Sequence, residues 1–300
     1  MNILSRDKQI EIIAALTEGC SIRSVERLTG AHRDSVMRLG ARVGAGCANL
    51  HNRTMLGVRP GRIELDELWA YVGKKQKNVT RKDGASAGDQ YTYIALAGAA
   101  KAIVSYRTGK RTGHTTAEFI HDLSERVLGN PEISSDGLGW YRPAIRDAFG
   151  KRASYGQITK TYSVTDLRRD ATHRYSPAQV VAVSREVVSG TPQYISTSYV
   201  ERQHLTLRMT QRRFGRLTNA FSKKLGHHVA AVSLYVAHYN FCRVHETTRT
   251  TPAMSLGIAD HVWSVGELLD KALSLTPEAP VTTAPDRRRR FRVIEGGRKN

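Results

Sequence analysis

Apolar residues recur at helical spacing three times in the first 45 residues. Ile10, Ile12, Ile13, Ala14 and Leu16 form one face of a helix that ends at Gly19. Ser21 is placed to cap a second helix, striped by Ile22, Val25 and Leu28 and stopped at Thr29-Gly30. A third is predicted from about Ala31, with Val36, Leu39 and Val43 facing inward. Across 46–60, GCANLHNRTMLGVRP, the Gly, Asn and Pro residues interrupt the pattern and predict a linker, with domain boundaries at 1–48 and 49–60. The period then becomes two. Within Gly61–Gly73, Ile63, Leu65 and Leu68 alternate with Glu64 and Asp66, and Trp69, Tyr71 and Val72 follow, the pattern of a strand. Tyr91–Ala99 and Ile103–Arg107 read as two more strands of an antiparallel meander. Next come a helix at Thr115–Leu128, a short strand at Glu132–Ser134, a helix at Trp140–Phe149 and a fifth strand at Gly156–Thr159. This order predicts a mixed α/β unit over 61–258, a mixed five-stranded sheet flanked by helices. Basic, Thr, Ser and Pro residues dominate 160–193, which reads as an insertion on the sheet edge. Helices return at Thr197–Thr210 and Phe221–Phe241, and 259–300 reads as a C-terminal helix followed by a disordered basic tail, RRRRFRV.

Charge changes the picture more than composition does. Lys and Arg number 46 against 27 Asp and Glu, a net charge of +19, which favours a polyanionic partner, most commonly nucleic acid; the motifs below make double-stranded DNA the expected form. No Lys-rich amphipathic helix with an aromatic face stands out and no run of 18 apolar residues occurs, so no membrane role is read. Cys20, Cys47 and Cys242 are scattered, signalling neither a disulfide framework nor a zinc site. A soluble, intracellular protein is the expectation.

Two features carry candidate chemistry. A Gly-bounded turn followed by a helix with His32, Arg33, Ser35 and Arg38 on its outer face is the helix-turn-helix pattern that reads a DNA major groove, although any three-helix bundle has such turns. Against the positive background, carboxylates stand at Asp66 in the first strand, at Asp136 just past the fourth and at Glu201 on a helix. Clustered oxygen ligands suit Mg²⁺ or Mn²⁺, and two such ions about 4 Å apart support phosphodiester chemistry. On the strand alone, blander readings stay open: Glu64 and Glu67 facing solvent, and Asp66 pairing with an arginine. Glu67 points to the other strand face and is assigned a structural role, or at most one behind the metal ligands. Arg208, seven residues beyond Glu201, shares its helix face. From Arg202 to Lys224 there are seven Lys or Arg and no acid, a row of cations suited to a DNA backbone.

DELWAYVGKK at 66–75, SDGLGWY at 135–141 and YVERQHLTLRMTQRRFGRLTNAFSKK at 199–224 resemble the DDE transposases of bacterial insertion sequences, most of all the group of insertion sequence one. HYNFCRVHETTRTTPAM at 238–254 is similar to the ending of many integrase-like transposases. The resemblance implies a ribonuclease-H-like fold, with Asp66, Asp136 and Glu201 as the catalytic and metal-binding triad, two Mg²⁺ or Mn²⁺ ions, and Arg208 as the basic residue after the Glu. It implies an enzyme that binds terminal inverted repeats, cuts at the element ends and joins the 3′ hydroxyls to target DNA. Arg208, Arg212 and Arg213 would then clamp phosphates, and two ends would require a homodimer or a larger synaptic assembly. The chain departs from the group in the 64 residues between Asp136 and Glu201 and in lacking an N-terminal cysteine cluster, which leaves end recognition to the helix-turn-helix. A nuclease that cuts without joining, and a non-catalytic DNA-binding regulator or transposase remnant, are the alternatives.

Overall fold

Ser5 accepts a hydrogen bond from the Lys8 amide and opens α1 (Arg6–Thr17) in the computed structural model, which describes residues 4–163, 180–215 and 218–275. Ser21 caps α2 (Ile22–Thr29) through the Ser24 amide at 3.1 Å, and Gly30, at φ +70°, ends it in a left-handed conformation that glycine adopts freely. α3 then runs from Arg33 to Thr54, straight through residues expected to be linker. A Cβ at Gly44 would lie 2.1 Å from the Ala230 carbonyl oxygen, so α3 meets α7 (Leu225–Phe241) backbone to backbone. Cys47 and Leu50 are buried, and His51 Nε2 bonds the Val104 carbonyl at 3.0 Å.

The N-terminal helices are therefore not a separate body. Ile12, Ile13, Val25, Val36, Leu39 and Val43 share one core with Leu234 and Phe241 of α7, with Ala253 of α8 (Pro252–Ser255), and with Leu268 and Leu269 of α9 (Val265–Ser274). Phe241 stacks on Trp263 at 4.2 Å. Each fully buried aliphatic side chain contributes roughly 1.5–3 kcal/mol, so this shared core binds the two ends of the described chain together. The boundaries expected at 48 and 258 are not breaks in packing. The expected basic tail beyond 275 lies outside the described residues.

One mixed sheet of six strands, not five, forms the centre, in the order β3-β2-β1-β4-β5-β6. The strands are β1 (Arg62–Val72), β2 (Gly88–Ala97), β3 (Ala102–Gly109), β4 (Glu132–Ser135), β5 (Ser154–Tyr162) and β6 (Val180–Ser189). β1 pairs antiparallel with β2 and parallel with β4; β4 pairs parallel with β5, and β6 closes the edge antiparallel to β5. The extra strand comes from the stretch expected to be an insertion. Its five valines favour extended backbone, but it is exposed along nearly its whole length, so no alternating polarity marks it. Residues 164–179 lie outside the described residues.

Strand alternation divides the rest. Ile63 and Leu65 of β1 join Phe119 and Leu123 of α4 (Gly113–Arg126) and Ile145 of α5 (Tyr141–Phe149) on one face. Leu68 and Ala70 join Val200 and Leu207 of α6 (Ser198–Thr210) and Val232 and Val236 of α7 on the other. The HYN stretch has a structural use: Asn240 donates to the Ile103 carbonyl at 2.9 Å and accepts from the Ile103 amide at 3.0 Å, completing the outer edge of β3.

Candidate active site

Parallel register brings the first two carboxylates together. Pairing of β1 with β4 ends at Leu65 opposite Ser135, so Asp66 and Asp136 are the next residue on each of two neighbouring strands. Beyond that point β1 continues while β4 turns away, opening a cleft at the end of the shorter strand. Asp136 makes the turn itself: its Oδ1 accepts from the Leu138 amide at 3.0 Å, and Gln157 on β5 donates to its carbonyl at 3.0 Å. Asp66 Oδ1 accepts from the Glu67 amide at 2.8 Å, and its Oδ2 lies 3.2 Å from His204 Nδ1 on α6.

Glu201 reaches the same space from α6, where it lies three residues before His204 and seven before Arg208, all on one helix face. Its Oε1 accepts from the Thr197 hydroxyl at 2.6 Å and from Lys160 of β5. Asp66, Glu67, Asp136, Glu201, His204 and Arg208 line one open cavity of about 650 Å³, together with Arg111, Lys160 and the Gly137–Gly139 turn.

The cluster of closest carboxylates is not the expected triad. Oxygens of Asp66, Glu67 and Asp136 lie within 4.8 Å of one another, while Glu201, outside that group, lines the same cavity. Glu67 does point to the opposite face of β1, but at the cleft its side chain reaches around to its neighbours. Its side chain is 2% exposed, Oε2 pairs with Arg111 Nη2 at 3.1 Å, and the buried Tyr141 hydroxyl faces the same carboxylate. Burial, and then the charge of Asp136, push the Glu67 carboxyl up to about 7. Asp136 is also raised, first by burial and then by Asp66 and Glu201, against the pull of the Leu138 amide and Arg111. Arg111 Nη2 is 3.8 Å from Asp136 Oδ2, so one guanidinium sits between two of the acids.

Four further residues belong to this site. Arg111 and Lys160 arrive from chain segments that only the folded sheet brings near. Glu67 was read as pointing away. Glu64, for which the sequence leaves a solvent-facing position open, is 4% exposed and bonds the start of α6. The density of acids on one strand is the sequence signal for Glu64 and Glu67; Arg111 and Lys160 carry none.

The expected DNA contacts divide. Arg33 and Arg38 are exposed and Ser35 is half-buried, on the first two turns of α3, with Arg38 donating to Ser35 Oγ at 3.4 Å. They line no part of the acidic cavity. Arg208 lines it. Arg212 is exposed, but Arg213 is tied inward, donating to Ser222 Oγ at 2.9 Å and the His227 carbonyl at 3.3 Å, and burial lowers its pKa to about 10. Among the described residues no helix is long and apolar enough to cross a membrane.

No protein-family model matches the chain, and no curated protein matches it by sequence. Among solved structures it is similar to a piggyBac transposase synaptic complex with hairpin DNA, at 12% identity and a TM-score of 0.38, covering 93% of this chain and 73% of that one. A pre-cleavage Mos1 transpososome matches at 10% identity and a TM-score of 0.21, covering 79% of each chain. Likeness this loose leaves the reading of the site to its own residues.

Proposed function

We propose that this chain is a DNA transposase of the DDE type, and the observation that carries the reading is the one cavity lined by Asp66 of β1, Asp136 just past β4 and Glu201 in the first turn of α6. The donor set fits divalent cations. It is made of hard oxygen ligands, and carboxylate oxygens of Asp66, Glu67 and Asp136 crowd within 4.8 Å of one another, where their like charges call for a cation between them. Asp66, Asp136 and Glu201 would hold two Mg²⁺ or Mn²⁺ ions, with Glu67 beside them. When bound, the ions supply activation of the attacking oxygen and stabilisation of the leaving oxygen in an in-line displacement at phosphorus.

The chain's own residues do the positioning. His204 fixes Asp66, the Leu138 amide fixes Asp136 and the Thr197 hydroxyl fixes Glu201. Arg208, Arg111 and Lys160 rim the cavity with positive charge suited to the phosphates of the cut strand. Arg33, Ser35 and Arg38 on the start of α3 would read the terminal inverted repeats of an insertion sequence. A ribonuclease-H-like fold is supported by a mixed sheet whose two adjacent parallel strands each carry a carboxylate directly after their shared ladder ends. Cutting at the element ends frees 3′ hydroxyls, which the same site presents to target DNA. Two ends imply a homodimer or larger assembly.

The test is cleavage and joining of labelled DNA carrying the element's own ends, in Mg²⁺ or Mn²⁺, with wild type and Asp136→Ala. Wild type is expected to nick and join, and the variant to bind the same DNA and do neither. Binding by wild type without metal-dependent chemistry would turn the reading to a regulator. Cutting without joining would turn it to a nuclease.

A further inference from the structure

The helix that carries Glu201 begins without a side-chain cap of its own. Thr197 stands at the capping position, but its hydroxyl donates to Glu201 Oε1 and caps nothing. First-turn amides have no partner within a helix and need one from elsewhere. Those of Tyr199 and Val200 both donate to Glu64 Oε2, at 2.7 and 3.0 Å. Glu64 lies on β1 two residues before Asp66 and therefore on the same sheet face. Its register partner on β4 is Ser134, two residues before Asp136. Ser134 Oγ accepts from the Ser196 amide and donates to the Tyr194 carbonyl, both at 3.3 Å. On each of the two strands, the residue two positions before the site carboxylate thus holds the segment that leads to the third.

We propose that Glu64, with Ser134 beside it, is the positioning residue that sets the start of α6 against β1 and β4 and so brings Glu201 to Asp66 and Asp136. This rests on the catalytic reading of the three carboxylates. A buried carboxylate accepting two amides is a short, directional link. The apolar contacts of Val200 and Leu207 with Leu68 and Ile94 keep the helix on the sheet but do not fix its position along its own axis. Glu201 follows Val200 directly, so movement of the first turn moves it.

The experiment uses the full chain with Glu64→Leu, Glu64→Gln and Ser134→Ala, and three readouts: hydrogen exchange at Tyr199 and Val200, Mn²⁺ binding by calorimetry, and kcat and KM for metal-dependent cleavage. Glu64→Leu is expected to speed exchange at those two amides about tenfold or more while amides of α4 and α7 keep their rates. It should weaken Mn²⁺ binding about tenfold and lower kcat about tenfold to a hundredfold, with KM for DNA within about twofold. Glu64→Gln, which keeps an acceptor oxygen, should recover most of each loss, and Ser134→Ala should give a smaller change in the same direction. Wild-type exchange rates in Glu64→Leu would overturn the proposal, as would faster exchange with unchanged Mn²⁺ binding. If wild type cuts no DNA, the transposase reading fails by itself, and exchange and Mn²⁺ binding still decide the role of Glu64.

Discussion

Arg212 and Arg213 are adjacent and chemically identical, yet their surroundings give them different work. Arg213 is held by Ser222 and the His227 carbonyl, whereas Arg212 faces solvent. Arg213→Ala is expected to cost about 1–2 kcal/mol of stability, because the buried Ser222 hydroxyl loses its donor. Arg212→Ala should leave stability within about 0.5 kcal/mol, weaken DNA binding, and reduce the slope of log affinity against log salt by about 1. Denaturant titration and binding measured across a salt series check both. At this scale the sequence showed the residue types of the site but not which neighbour does what. Asp66, Asp136 and Glu201 stand out as acids in a basic chain. Glu64 looks like one more strand acid, and its burial under α6 depends on a contact 135 residues away.

Among the elements, α3 and α7 owe their close contact to Gly44. Gly44→Ala would force the helices apart and is expected to cost about 1–3 kcal/mol, whereas Gly226→Ala on α7, where a Cβ meets nothing within 4 Å, should be neutral or stabilising by about 0.5 kcal/mol. Thermal or denaturant unfolding of the two variants separates the cases. The same helices carry two buried histidines, His51 and His228. Burial, and then the charges of Arg126 and Arg213 respectively, lower both rings to about 3 from the ordinary 6.5. The folded state therefore refuses a proton that the unfolded chain accepts. Stability is fully present above about pH 6.5 and is lost as pH falls from there toward about 3, by about 2 kcal/mol per ring at pH 5. His228→Asn, which keeps a polar atom near Ser222 but cannot titrate, should make the decline in stability between pH 7 and pH 5 shallower.

The whole molecule closes its N-terminal helices on its C-terminal ones, so residues 1–60 alone are expected to lack a core and to show no cooperative melting transition. The chain 1–275 should unfold in a single step by circular dichroism. Deleting 259–300 should destabilise α1–α3 as well, because Leu268, Leu269 and Ala272 are part of their core.

By itself the sequence determined the elements and much of their order, because apolar period, Ser caps and Gly stops act locally. It also marked Asp66, Asp136 and Glu201, since acids in a chain of net charge +19 contrast with their background. Tertiary structure alone decided that α3 continues to Thr54, that Val180–Ser189 adds a sixth strand, and that Glu67, Arg111 and Lys160 join the acidic cavity. Each of these depends on contacts between residues far apart in the chain: the α3–α7 approach, an exposed edge pairing, and the end of one parallel ladder at Leu65 and Ser135. Local pattern carries no record of such contacts, because the free energy that fixes them arises only when the distant segments meet.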